Sequence, residues 1–294
     1  RDNRIYKRKR HRLRLNLVSL LGVKNSKIYA MQYQGVLKKM LTENNAQIQY
    51  YLDMETDFIN MNQLLNKTIS IQFVKYQCLN CGLDKQIYRQ GFDKKCFFET
   101  ARAGDWIMRP ELSKAHLGIE DRDLEYEKQS QLKPHIVYLA NSSNVKVGVT
   151  RKSQVPTRWI DQGAHEAIEI VEVPNRYLAG ITEVALKEHV ADKTNWRKML
   201  KNDNEDENLI EWRDRLKQYI PEEAKQYFIE SNSETNLNFP VLQYPEKPKS
   251  LNLIKTPNYS GKLVGIKGQY LIFEDQTVFN VRANEGLVVK ITID

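Results

Sequence analysis

Residues 134–163 read PHIVYLANSSNVKVGVTRKSQVPTRWIDQG, and this run decides the architecture. Pro134-His-Ile-Val-Tyr138-Leu-Ala is short and apolar, which predicts a strand. Asn141-Ser-Ser-Asn144 is a turn, because short polar side chains bond their own backbone there. Val145 to Thr150 predicts a second strand, so the pair reads as a β-hairpin. Thr157 can cap a following helix and Gly163 can end it. From residue 145 to 158, Lys146, Arg151, Lys152 and Arg158 stand with no acid among them.

Outward from this hairpin, residues 133–200 read strand, strand, helix, strand, helix, and the last strong helix, Ala179 to Val190, carries Glu183. On the N-terminal side, Gly35-Val-Leu, Gln47 to Leu52 and the alternating Thr68 to Tyr76 predict strands, with a turn or short helix over Asn60 to Asn66. On the C-terminal side, Gly261-Lys-Leu-Val-Gly, Gln269 to Phe273 and Leu287 to Ile293 repeat that order. The two ends are therefore expected to be copies of one small β unit, packed into a barrel or sandwich. Residues 201–230 hold nine acids against five Lys/Arg. Leu209, Trp212, Leu216 and Tyr219 recur there at helical spacing, as in an amphipathic packing helix. Residues 231–258 contain four of the nine prolines and read as an extended linker.

These segments predict an α+β protein: a β unit at 31–77, a knuckle-like insert at 78–118, an α/β core at 133–200, an acidic helical segment at 201–230, a linker at 231–258 and a closing antiparallel β unit at 259–294. With 294 residues and 41% hydrophobic composition, the chain is neither disordered nor collagen-like, and three cysteines exclude a disulfide scaffold. The net charge of +8 misleads, because residues 1–30 carry +9 of it and the remainder nets −1. Nucleic-acid affinity must then come from a local patch. Residues 1–30 read as a basic extension, non-native or disordered, upstream of a natural start at Met31. No apolar run reaches the ~20 residues that span a bilayer. The expected location is cytoplasmic and no membrane partner is expected.

Cys78-Leu-Asn-Cys81-Gly is a CxxCG knuckle after a strand. Two thiolates at this spacing can share one Zn²⁺, with Gly82 permitting the turn. Cys96 supplies a third thiolate, and Asp93 in Asp93-Lys-Lys-Cys96 supplies a carboxylate as fourth ligand; His116 is the other candidate. No Glu or His sits at activating spacing, so the expected zinc is structural. Gly104-Asp-Trp106-Ile-Met-Arg109-Pro-Glu111 reads either as a loop anchored by Trp106 or as a place where a base could stack.

The central segment resembles the GIY-YIG nuclease superfamily. Ile136-Val137-Tyr138-Leu139 looks like its first motif, and Lys146-Val147-Gly148 with Thr150 like its second, with Lys146 where that motif has Tyr. Arg158 sits where the helix Arg belongs and Glu183 where the metal-binding Glu belongs. The order of knuckle and core also resembles an uncharacterised bacterial family. The superfamily resemblance implies Mg²⁺-dependent phosphodiester cleavage. Tyr138 would orient water, Lys146 and Arg158 would grip phosphate, and Glu183 would hold Mg²⁺. Arg151, Lys152, Gln162 and Asn195 would extend the nucleic-acid contact, DNA or RNA. The alternatives are a non-catalytic nucleic-acid-binding or ribonucleoprotein-associated module, or a protein-interaction protein.

Overall fold

The computed structural model describes residues 31–190 and 195–294. The reading of residues 1–30 lies outside the described residues. Fourteen strands are present among them: β1 (Met31–Val36), β2 (Leu41–Glu43), β3 (Gln49–Met54), β4 (Asp57–Asn60), β5 (Thr68–Tyr76), β6 (His135–Asn141), β7 (Val145–Arg151), β8 (Glu166–Val173), β9 (Thr235–Asn236), β10 (Lys249–Ser250), β11 (Asn258–Lys267), β12 (Tyr270–Phe273), β13 (Thr277–Asn280) and β14 (Leu287–Ile293). With the helices between them they form an α+β fold carrying a small insert able to bind a metal.

The predicted hairpin is β6–β7. It lies in a four-stranded sheet of order β7-β6-β8-β9, with β7 at one edge. Every residue of β6 is buried, so both faces of the strand must be apolar. Its side chains alternate between two cores. Ile136, Tyr138 and Ala140 join a large cluster with Trp159, Ile160, Phe273 and Ile291. Val137 and Leu139 join a second cluster with Val147, Ile170, Ala179 and Leu186. The helix Thr157–Asp161 therefore packs on one face of the sheet and the helix Arg176–Lys187 on the other. Gly163 has φ +68° just past the first of these, where a side chain would be strained. Thr157 does not cap it: Pro156 occupies the cap position and no side chain accepts there.

The two terminal β segments are packed together rather than standing apart. They share one seven-stranded sheet of order β1-β14-β5-β11-β12-β13-β10, with β14 paired to both β1 and β5. The apolar alternation seen in β5 and β14 is what one face of this shared sheet needs. The expected linker is packed too. It contributes β9 to the central sheet and buries Leu237, Phe239 and Leu253.

Two contacts fix the helices that matter below. Asp161, with its side chain 2% exposed, meets Lys39 Nζ at 2.8 Å and Arg282 at 3.5 Å, and accepts from Gln269 Nε2 at 2.8 Å. A five-residue helix has no stability of its own, so this anchor to the seven-stranded side sets its position. Gly180 lets the Arg176–Lys187 helix meet the Pro110–Leu112 turn. A Cβ there would collide with the Glu111 backbone nitrogen and the Pro110 carbonyl carbon.

Gly180→Ala is expected to destabilise the fold. The helix-propensity gain of about 1 kcal/mol is outweighed by overpacking against backbone, for a net loss of roughly 1–2 kcal/mol. Urea denaturation measures it; a neutral or stabilised variant would contradict the close approach.

Candidate functional site

Around the open edge of β7 lies a cleft of roughly 250 Å³. Lys146, Gly148, Arg158, Gln162 and Glu183 line it, together with Arg176, Lys187 and a rim of Ile107, Met108 and Pro110. Arg158 and Glu183 come from helices on opposite faces of the sheet and reach the same space past its edge. Register explains the floor. Tyr138 is paired with Gly148 and Ala140 with Lys146. The Tyr138 hydroxyl lies across Gly148, where a Cβ would stand 2.6 Å from it. Its ring packs edge-on against Trp159 at 5.8 Å. The hydroxyl is fully buried beside Arg158 and Gln162, yet makes no well-formed hydrogen bond, and Gln162 Oε1 is also unpartnered among the described residues. Orphaned buried polar atoms under a cleft are what a bound ligand or water would satisfy.

The other expected contacts lie elsewhere. Arg151 lines a neighbouring pocket. Lys152 is paired with Glu172 at 2.7 Å. Asn195 caps the Trp196–Lys201 helix by accepting from Arg197 and Lys198 backbone N–H groups. Two cleft cations were missed in the sequence, Arg176 and Lys187. Both share a helix face with Glu183, at seven residues before and four after it, and that spacing was the available signal.

The cleft is cationic. Burial and then the Arg158 charge bring Lys146 from an ordinary 10.5 down to about 8. Arg176 is lowered to about 10 by burial, with Glu183 opposing. Its Nε donates to Trp106 O at 2.9 Å and its Nη2 to Ile107 O at 2.8 Å, which locks the guanidinium. Glu183 is raised by burial, against the pull of Lys187, Arg176 and Arg158. Lys187 Nζ stands 3.4 Å from Glu183 Oε1. This is a poor seat for Mg²⁺, which needs several oxygen ligands. Among the described residues Glu183 is the only carboxylate lining the cleft, it is already paired, and further cations surround it. The same surroundings suit an anion.

A second cluster sits in the insert. The ligand atoms of Cys78, Cys81, Cys96 and Asp93 all lie within 4.8 Å of one another, so together they can hold a metal ion. Gly82, at φ +72°, turns the knuckle. The backbone N–H groups of Asn80 and Asp93 donate to Cys78 Sγ, each at 3.4 Å, which favours the thiolate. Asp93 divides its carboxylate. Oδ1 accepts from the Lys95 and Cys96 N–H groups and caps the Lys94–Glu99 helix, while Oδ2 meets Cys81 Sγ at 3.4 Å. Hydrogen bonds from the Cys78 and Cys96 thiols, against some burial, hold Asp93 well below the usual carboxylate range. His116 is not in the cluster; its ring stacks on Tyr177 at 4.5 Å. Among the described residues, the insert's own core is only Cys78, Phe92, Cys96 and Ala103 with three flanking side chains. So small a core needs a staple, and the four ligands are placed to provide one.

The fold and this cluster define an α+β protein with an insert whose Cys₃Asp cluster could hold a metal ion. Residues 66–289 match the family described as "Protein of unknown function (DUF2797)", and the chain belongs to that family. No curated protein and no solved structure matches it. The GIY-YIG resemblance is thereby corrected: the family found is a different one, and no homologue or structural neighbour supports a GIY-YIG nuclease domain. The short motifs misled because an apolar hairpin with a following Arg and a later helical Glu is common text in α+β proteins. No described helix is long and apolar enough to cross a membrane.

Lys146 should titrate near 8 when followed by side-chain NMR, well before the exposed lysines. In Arg158→Ala its pKa should rise while staying below 10.5, because burial acts first and the Arg158 charge second. Titration together with the surface lysines would contradict the buried, cation-flanked placement.

Proposed function

We propose that this protein binds nucleic acid through its phosphate backbone, in the cleft beside β7, without needing a catalytic metal there. The observation that carries this reading is the convergence of Lys146, Arg158 and Arg176 with Lys187 around one carboxylate, over two orphaned polar groups. Arg176 is held rigid by two carbonyls, so it loses little freedom on gripping phosphate. The body of the chain is close to neutral, so a local cationic cleft is where a polyanion would settle. Cleavage by Mg²⁺ at Glu183 draws no support from a lone, paired carboxylate.

Fluorescence anisotropy with DNA and RNA tests the reading on a chain starting at Met31. Affinity should fall with salt, and Lys146→Glu or Arg158→Ala should weaken binding about tenfold and reduce the log–log salt slope by about one. Absent or salt-insensitive binding would overturn it. Mg²⁺-dependent strand cleavage lost in Glu183→Ala would restore the hydrolase instead.

The insert is proposed to carry a structural Zn²⁺. Three thiolates select a soft or borderline ion, and four protein ligands leave no open position for chemistry. A reducing cytoplasm would keep the thiols available. Anaerobically purified protein should contain about one Zn²⁺ per chain, and Cys78→Ser should lose it. Asp93→Asn keeps a good helix cap but offers a weaker ligand, so zinc affinity should drop while the helix persists. Metal analysis without stoichiometric zinc would dismiss the site.

A further inference from the structure

We propose that the pocket adjoining the cleft, bounded by Trp106, Tyr126, Ser130 and Arg151, receives one unstacked base of a single strand whose phosphate lies in the cleft. This inference rests on the phosphate-binding reading above and specifies its ligand as single-stranded nucleic acid.

The two spaces share a wall. Arg176 and Ile107 line both the cleft and a smaller pocket of roughly 150 Å³. Arg176 is pinned in that wall, and its guanidinium lies over the Trp106 ring at 5.4 Å. Its Nη1 makes no hydrogen bond among the described residues, and remains a donor for a phosphate or base oxygen. Tyr126 flanks the indole at 6.5 Å between ring centroids. The small pocket thus combines two aromatic rings, two guanidinium groups and two hydroxyls, and among the described residues no carboxylate lines it.

Each feature matches the chemistry of a base rather than a second phosphate. Bases offer a π-face to aromatic rings and guanidinium planes, and edge acceptors to Arg and Ser. A phosphate would find the Arg charges but gain nothing from the rings. A nucleotide carries its base next to its own phosphate, which is how these two spaces adjoin. In a duplex the same base is paired and stacked, and extracting it costs a few kcal/mol. The pocket therefore discriminates against duplex, whereas the cleft alone does not.

The test uses a short single strand bearing 2-aminopurine, in deoxy and ribo forms, and a duplex of equal length. The single strand should bind about tenfold more tightly than the duplex, with 2-aminopurine fluorescence quenched on binding. Tyr126→Leu keeps apolar contact with Trp106, and Ser130→Leu narrows the pocket from a partly exposed position. Each should cost the single strand about tenfold and relieve the quenching. Neither should change duplex affinity or the salt slope. Equal affinity for single strand and duplex overturns the proposal. So does normal single-strand binding by both variants when Arg158→Ala weakens it; in that case the phosphate cleft stands and the base pocket fails. Absence of binding by the unmodified protein overturns both.

Discussion

Strand β6 is buried on both faces over its whole length, and the rest of the molecule is organised by that fact. A strand has only two faces, so its alternate residues must satisfy two different cores. Ile136, Tyr138 and Ala140 face the core shared with the seven-stranded sheet; Val137 and Leu139 face the core under the Arg176–Lys187 helix. A slip of one residue would exchange these sets and expose Tyr138 to the wrong packing. Register is thereby fixed, and with it the pairs Tyr138–Gly148 and Ala140–Lys146. The cleft follows directly. A glycine opposite a tyrosine lets the ring lie across the edge strand and bring its hydroxyl to the cleft floor, and a lysine two residues away lines the same cleft.

A lysine on an edge strand has an ordinary explanation, since charged edges discourage strand pairing between molecules. That role needs exposure. Lys146 is only 9% exposed and shares its surroundings with Arg158, so edge protection does not account for it. Nature of the anchors points the same way. Arg158 is held by way of Asp161 and its contacts to Lys39, Gln269 and Arg282, while Arg176 is held by two carbonyls of the Trp106 loop. Like charges are thus brought near one another by contacts made elsewhere in the fold. Mutual repulsion of such groups, of order 1–4 kcal/mol per close pair, is relieved when an anion enters.

The insert and the cleft are connected through the chain. The segment following Cys96 continues through short 3₁₀ turns to Ile107, Met108 and Pro110, which form the cleft rim, and docks on the helix at Gly180. A metal ion held by Cys78, Cys81, Cys96 and Asp93 would fix the start of that segment, and Gly180 fixes its end. Asp93 serves two purposes at once, capping the helix that presents Cys96 and facing the thiols. A cysteine at that position would add sulfur but lose the cap, which is a physical reason for a carboxylate in a thiolate-rich site.

Local text was enough for the hairpin, the knuckle and the α+β class, because alternation, turn residues and the CxxCG spacing act over a few residues. The same text placed Arg158, Gln162 and Glu183 on helices but could not say which face of the sheet each helix would take. It also invited a superfamily resemblance from motifs too short to carry one. Choosing Asp93 over His116, merging the terminal β segments into one sheet, and adding Arg176 and Lys187 to the cleft all depended on contacts between residues distant along the chain. Arg151 and Lys152 are expected from the sequence to extend the contact made by Arg158, yet Arg151 lines another pocket and Lys152 is paired with Glu172. What the sequence alone determined was each element and its apolar faces. What only the tertiary structure decided was which charges meet, because burial of both faces of β6 sets a register and a packing order that no local pattern encodes.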